Sequence, residues 1–383
     1  MITKKLQDIT LNITDGKHGD CENENNSGFY FISCKDVHDG TIHYDGARQI
    51  TEKNFIEAHR RTMLEPNDIL VTNSGTIGRM ALVKENDYTY RTTFQKSVAI
   101  VKPDQEVIRP AYLYYCLLNC VNQFVNQSNG SAQKNLLLGT MRNFAIEYEE
   151  DFSKQDKIIN VLQSYDKIIE NHQKQIKLLE EAAQRLYKEW FVDLHFPGYE
   201  DVKIDDGVPE GWVKGSIGDV AFFKRGKTIT KAQVQEGDVP VVAGGLGPAY
   251  YHNKSNTVAP VITVSGSGAN AGFARLYNVN VFASDCSFAD SQTTPFLFFV
   301  YCFVKDNKQS FDALQKGSAQ PHVYAKDINA LKLSIPTEGL LESFCKLVFP
   351  YFEKIKILQK QIELSSQARD RLLPKLMSGE IEV

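Results

Sequence analysis

The sequence predicts an α+β fold in which two globular, mixed α/β domains are joined by two long antiparallel coiled-coil helices, the whole forming a pseudo-twofold internal repeat. Three observations predict it. Gly130-Ser131-Ala132-Gln133 returns as Gly317-Ser318-Ala319-Gln320, 187 positions on. The helical segments that follow repeat at an offset of 186, where Lys174-Gln175-Ile176 meets Lys360-Gln361-Ile362 and Arg185-Leu186 meets Arg371-Leu372. Finally, β-type runs broken by Gly, Asn and Asp turns fill the region before each motif. Two repeats are too few for a solenoid. One module used twice, with two equivalent working surfaces, is the reading that remains.

Taken in order, residues 1–150 form the first globular domain. Asp68-Ile69-Leu70-Val71-Thr72 and Ser97-Val98-Ala99-Ile100-Val101 are sheet signals, and residues 110–126 have helical spacing with Pro110 at the start, where a helix tolerates it. Residues 151–194 are the first long helix. Ile158, Leu162, Tyr165, Ile169, His172, Ile176, Leu179, Ala183, Leu186 and Trp190 alternate in steps of four and three, a coiled-coil seam. Residues 195–212, rich in Pro, Gly and Asp, read as a linker, and 213–336 as the second globular domain. Residues 337–383 are the second long helix, with the seam Phe344, Val348, Tyr351, Ile355, Leu358, Ile362, Ser365, Arg369, Leu372 and Leu376. Pro350 and Pro374 are expected to kink or end this helix, and Ser365 and Arg369 to weaken its seam. His172 is expected to be a satisfied interface histidine. An antiparallel pair of about 33 residues would make a rigid spacer of roughly 50 Å, one to two turns of DNA.

The chain has 383 residues, 42% hydrophobic and 23% charged, ordinary for a globular protein. The longest apolar run, Phe296 to Val304, is strand-like and too short for a bilayer. Met1-Ile2-Thr3-Lys4-Lys5 lacks a signal-peptide core, so a cytoplasmic location without membrane attachment is expected. Seven cysteines without CxxC or Cys/His spacing imply reduced thiols, with Cys116 and Cys120 in the core. The net charge of −4 is unusual for a free-standing DNA-binding protein. Such a chain must concentrate its positive charge or borrow it from partners.

No catalytic or metal motif stands up. Gly226-Lys227-Thr228 resembles the end of a P-loop, but position 221 is alanine where glycine is required. A dinucleotide fingerprint, an Asn/Asp-Pro-Pro-Tyr/Phe segment, a zinc helix and a serine elbow are all absent from the sequence, and Asp68 and Glu85 read as ordinary surface acids. What remains are polar loops in matched pairs. Asn73-Ser74-Gly75-Thr76-Ile77-Gly78 answers Ser265-Gly266-Ser267-Gly268-Ala269-Asn270-Ala271-Gly272, and Asp15-Gly16-Lys17-His18 answers Lys224-Arg225-Gly226-Lys227. Each Gly-Ser-Ala-Gln runs into polar or basic residues, Lys134-Asn135 in one half and Pro321-His322-Val323-Tyr324 in the other. Gln and Asn can read adenine in the major groove, while Ser and cationic groups hold phosphates. The candidate contacts are Lys17, His18, Lys35, Asn73, Ser74, Thr76, Arg91, Gln95, Lys96, Ser131, Gln133 and Lys134 in the first half. In the second they are Lys224, Arg225, Lys227, Ser265, Ser267, Asn270, Ser318, Gln320, His322 and Tyr324. A turn whose glutamine caps the helical region is the bland alternative for the paired motif.

Two variable halves, each ending in Gly-Ser-Ala-Gln and a long helix, resemble the specificity (HsdS) subunit of type I restriction–modification systems. Val208-Pro209-Glu210-Gly211-Trp212, Leu179-Glu180-Glu181-Ala182-Ala183-Gln184, Lys188-Glu189-Trp190-Phe191-Val192-Asp193 and Asp68-Ile69-Leu70 leading to Ser74-Gly75-Thr76-Ile77-Gly78 look like segments of that family. The resemblance covers essentially the whole chain. Pro321 in place of Lys134, and a second Gly-rich loop one residue longer than the first, depart between the halves. The resemblance implies a non-catalytic subunit whose two target recognition domains read the halves of a split, asymmetric double-stranded DNA site. The helices would set the unread spacer and dock two modification (methyltransferase) subunits. S-adenosylmethionine would sit on those partners, which flip and methylate adenine, and no cofactor on this chain. Restriction/translocase subunits would join the full complex. A specificity subunit of another phage-defence methylase, and a two-headed protein-binding scaffold without DNA, are the alternatives left open.

Overall fold

In the first unit, strands Thr10–Asp15, Val98–Pro103, Ile69–Thr72 and Met80–Leu82 lie side by side in that order as a four-stranded antiparallel sheet. Ile69, Leu70 and Val71 are fully buried, because this central strand is covered on both faces. A separate antiparallel pair joins Ile2–Lys5 to Ala145–Tyr148, tying the start of the domain to its last strand. Helices Pro110–Asn119, Val121–Asn126 and Leu138–Arg142 complete it. The chain divides into two such units, Met1–Ile169 with Glu363–Val383, and Glu170–Ile362. The computed structural model describes residues 1–128, 135–316 and 321–383.

The second unit repeats the main sheet and the terminal strand pair of this plan. Lys224–Arg225, Cys286–Asp290, Val261–Ser265 and Ala274–Tyr277 form its four-stranded sheet in the same order, and Val213–Ser216 pairs with Lys332–Ile335. Helices Leu297–Asp306, Lys308–Ala313 and Ala325–Asn329 stand where the first unit has its three, 187 positions on. The apolar run at 296–304 is therefore a helix and not the strand expected. Leu297 and all of Phe299 to Val304 are buried, and a helix packed on every side loses the polar stripe that would mark its period. Residues 195–212 contain a two-stranded pair, Ile204–Asp205 with Val208–Pro209, and place Phe196 and Trp212 in the buried core.

Two helices of 40 residues dominate the chain, Phe152–Phe191 and Glu338–Met377, each about 60 Å long at 1.5 Å per residue. Neither proline ends the second helix: it runs through Pro350 and stops three residues after Pro374. Val348 and Phe352 flank Pro350 and are buried, so packing holds the helix where its backbone bond is lost. In the first unit Ile158, Ile159 and Leu162 share a core with Leu373, Leu376 and Met377. Lys157 Nζ donates to the carbonyl of Val383 at 3.1 Å and Arg369 to Asp166 at 2.7 Å, so the helices run antiparallel here. Arg369 thus ties the seam with an ion pair where it was expected to weaken it. In the second unit Ala183, Tyr187 and Trp190 share a core with Phe344, Val348, Phe352 and Ile355. His172 is not the satisfied histidine expected, since its Nδ1 is buried without a partner.

The seam pattern is the buried face. Ile158, Leu162, Ala183, Trp190, Phe344, Val348, Ile355, Leu358 and Leu376 are buried, while Ile176, Leu179, Leu186, Tyr351 and Leu372 are partly buried against the cores. Tyr165, Ile169 and Ile362 are half-buried. The face is wider than a strict four–three stripe, taking in Ile159, Tyr187, Phe352, Leu373 and Met377. Each helix packs on a globular domain as well as on its partner, which calls for a broader apolar arc. Phe344, fully buried and edge-on to Trp190 at 5.9 Å, is the sharpest test of that arc. Phe344→Ala is expected to lower unfolding stability by about 3–5 kcal/mol. Val192→Ala, at a half-exposed position just past the end of the other helix, should change it by less than ~0.5 kcal/mol. Equal effects in denaturant titration would refute the burial pattern.

Candidate nucleic-acid interface

Three stretches of backbone in each unit are held by matched main-chain hydrogen bonds. The first follows an outer strand of the sheet. Lys17 donates its amide to the carbonyl of Phe94 at 2.7 Å and accepts from Lys96 at 3.1 Å. In the second unit Gly226 donates to Cys286 at 2.8 Å and Lys227 to Ala283 at 2.9 Å. A Cβ on Gly16 would lie 2.1 Å from the carbonyl oxygen of Phe94, and one on Gly226 2.3 Å from that of Ser284. No side chain fits at either position, so the two Gly-Lys steps are equivalent and both glycines are required by close approach.

The second stretch is the Gly-rich loop. Gly78 donates to Thr72 and Thr72 to Arg79, at 2.9 and 2.8 Å; Gly272 donates to Ser265 and Ser265 to Phe273, both at 2.9 Å. Reciprocal bonds thus close both loops, the second with one more residue inside. Gly78 and Gly272 have φ of 85° and 87°, the left-handed region in which glycine is unstrained. The third stretch follows the repeated motif. Leu136 donates to the carbonyl of Asn73 at 2.8 Å and Asn135 bridges to Ser74; Val323 donates to Gly266 at 3.1 Å and His322 bridges to Ser267. The flanks of the motif therefore rest on the Gly-rich loop in the same way in both units. Ser131, Gln133, Lys134, Ser318 and Gln320 lie outside the described residues.

The candidate side chains fall into three groups. Asn73, Ser74 and Ser265 are buried and shape the loops from inside; the Oδ1 of Asn73 has no hydrogen-bond partner. A second group is held by carboxylates. Lys17 pairs with Glu57 at 3.0 Å and His18 with Asp15 at 3.0 Å, while Asp15 also receives Arg61. In the second unit Asp285 receives both the guanidinium of Arg225 and the hydroxyl of Ser267. Asn270 donates to the carbonyl of Gly244 at 3.4 Å. The third group is free for a ligand. Lys35, Arg91, Lys96, Lys224 and Lys227 are exposed and make no ion pair among the described residues, and Thr76, in the first Gly-rich loop, is exposed as well. Gln95 is half-buried, and His322 lies ring over ring with exposed Tyr324, centroids 6.1 Å apart.

Sequence reading missed Asp15, Glu57, Arg61 and Asp285, the residues that orient the cations. Glu57, Arg61 and Asp285 meet their partners only through the fold, and Asp15, although within a matched segment and three residues from His18, was not read as its partner. Asp68, read as a surface acid, is buried and paired with Lys102 at 2.7 Å; burial raises its pKa, opposed by the lysine. Among the described residues one group, His38, Asp39 and His43, has ligand atoms close enough to share a metal. The seven cysteines are all free thiols, and burial pushes Cys286 up to about 12 and Cys120 to about 11. No helix among the described residues is long and apolar enough to cross a membrane.

A duplicated sheet domain that presents divergent polar loops on a shared backbone scaffold defines a two-headed recognition protein. Residues 3–181 and 209–363 match the family described as type I restriction modification DNA specificity domain, and the chain belongs to that family. It is similar to the type I restriction enzyme MjaIX specificity subunit of Methanocaldococcus jannaschii, with 29% identity over 88% of this chain and 83% of that one. It is also similar to the EcoBI specificity subunit of Escherichia coli, 30% identical over 30% of this chain and 24% of that one. The crystal structure of the type I restriction–modification S subunit from M. genitalium shares the fold, with a TM-score of 0.53 and 16% identity, covering 98% of this chain and 96% of that one. As a test of the loop anchor, Asp285→Ala should free Arg225 and Ser267 together. The expected result is faster proteolysis within 265–272 with less than ~1 kcal/mol lost in global stability, since the pair is partly exposed. Unchanged cleavage would show that the carboxylate does not hold the loop.

Proposed function

We propose that this type I specificity subunit does no chemistry of its own and reads a bipartite, asymmetric double-stranded DNA target. Residues 1–150 and 213–336 act as the two target recognition domains, one for each half-site. The observation that carries the reading is the duplicated loop cluster: one backbone framework, held by the same main-chain bonds in both units, bearing different side chains in each. Main-chain bonds tolerate changes of side chain, so each loop set can change its target without losing its support. The exposed cations Lys35, Arg91, Lys96, Lys224 and Lys227 take phosphates, and the polar loop residues face base edges.

The two 40-residue helices set the unread spacer and dock two modification subunits. Those subunits carry S-adenosylmethionine and methylate adenine, and restriction/translocase subunits join for cleavage in the cytoplasm. Partner cations make up for a chain whose net charge is −4, because phosphate neutralisation supplies much of DNA affinity. The deciding experiment is co-expression with its methylase in a methylation-free host, followed by single-molecule mapping of N6-methyladenine. A split motif with one modified adenine on each strand is expected. An assembled complex that leaves DNA unmethylated would turn the reading toward a two-headed protein-binding scaffold.

Two further outcomes follow from the division of labour. Lys224→Ala with Lys227→Ala should weaken binding by the assembled complex equally at all sequences. For each phosphate that is no longer neutralised, the plot of log affinity against log salt should also flatten by about 0.9. Weakening confined to one half-site would contradict a phosphate-binding role. Adding one heptad to each long helix should lengthen the recognised spacer and leave both half-sites unchanged. Altered half-site bases at constant spacing would exclude the helices as the ruler.

A further inference from the structure

The two long helices are copies of each other, 186 positions apart. Each therefore has a choice that an unrepeated helix does not: to pair with the other helix, or with its own counterpart in a second chain. The positions where the copies differ decide between these. In the first unit, Asp166 on the first helix accepts from Arg369 on the second at 2.7 Å and from the hydroxyl of Tyr115. Tyr115 is buried on helix Pro110–Asn119. The repeat-equivalent residues of the second unit are Phe352 for Asp166, Ala183 for Arg369 and Cys302 for Tyr115. All three are 1% exposed and lie in one apolar core. These three members of the polar cluster have each been exchanged for an apolar residue at one place in the repeat, while Asp370, which also pairs with Arg369 at 2.8 Å, corresponds to Gln184.

We infer that this exchange is a pairing code that makes the first long helix select the second and reject a copy of itself. In the native pairing the carboxylate meets the guanidinium, and the apolar residues share a core. Two copies of the first helix, paired in the same antiparallel register, would set Asp166 against Ala183 at both ends. Two copies of the second would set Arg369 against Phe352. Either arrangement breaks the Asp166–Arg369 pair at each end, leaving Arg369 only Asp370 of its own helix and Asp166 only the Tyr115 hydroxyl, where the native one keeps it. The side chains of Arg369 and Asp166 are 25% and 33% exposed, so water softens the penalty and the code acts as a bias. Polar residues on a seam are best attested in this role of choosing partner and register.

The test co-expresses two differently tagged copies of the full-length chain and measures the mixed dimer by tandem capture and native mass spectrometry, with thermal midpoints alongside. The apolar exchange Tyr115→Cys, Asp166→Phe, Arg369→Ala makes the two ends alike and should raise the mixed dimer at least tenfold over the parent, without loss of folding. The charge-reversed pair Asp166→Arg, Arg369→Asp restores complementarity within the chain and should stay at the parental level. Parental levels of dimer in a folded apolar exchange would overturn the inference, as would a tenfold rise in the charge-reversed pair. Should the apolar exchange fail to fold, Asp166→Asn with Arg369→Gln removes the charges and keeps polar side chains at both positions. A severalfold rise in that variant supports the code, and the parental level overturns it.

Discussion

Burial of the long helices' apolar faces is the constraint on which everything else rests. Neither globular domain closes its core with its own contiguous chain. The first needs Ile158 and Leu162 from the helix that follows it and Leu373, Leu376 and Met377 from the end of the chain. The second takes Ala183, Tyr187 and Trp190 from before it and Phe344, Val348 and Phe352 from after it. Hydrophobic burial at roughly 25 cal/mol per Å² makes these the residues that cannot be given up. Closing the first unit means bringing its start and the C-terminus together across an inserted unit of nearly 200 residues. Loop-closure entropy grows only slowly with length, so the main consequence is for folding rate.

From that frame follows a separation of support from content. The loops are held by main-chain bonds at matched places: the Gly-Lys step, the reciprocal closure of the Gly-rich loop, and the strand bridge after the repeated motif. Such bonds fix where a loop lies and leave its exposed side chains open to change. Glycine is demanded only where backbone meets backbone, as at Gly16 and Gly226. The same logic governs the helices, where most seam positions are shared and the polar cluster at Asp166 is present at one end alone.

How much of this was legible in the sequence depended on the range of the interaction. The repeat, the long helices and most of their buried seam were visible, because each is a pattern within one segment. The helix at Leu297–Asp306 was mistaken for a strand because complete burial erased its period. Pro350 was given too much weight because local propensity was overruled by packing on both sides of it. The antiparallel pairing was expected, but that Leu373, Leu376 and Met377 also complete the core of the first globular domain had no local signal. Of the candidate loops, sequence marked the cations but not Glu57 or Asp285, which hold Lys17 and Arg225 from distant positions.

Those carboxylates bear on how a chain with a net charge of −4 can serve a polyanion. Lys17, His18 and Arg225 are already paired, so each gains less from a phosphate than a free cation does, because one ionic contact must be given up for another. On the proposed function, unselective attraction to the DNA backbone would be correspondingly weak. What the carboxylates supply instead is orientation: Asp285 fixes Arg225 and Ser267 relative to each other. A guanidinium held in place loses less side-chain entropy when it meets a matching base edge. Lower gross affinity and better-placed donors act in the same direction, since specificity is a difference between affinities. If these loops read DNA as proposed, their acidic residues would favour selectivity over gross affinity.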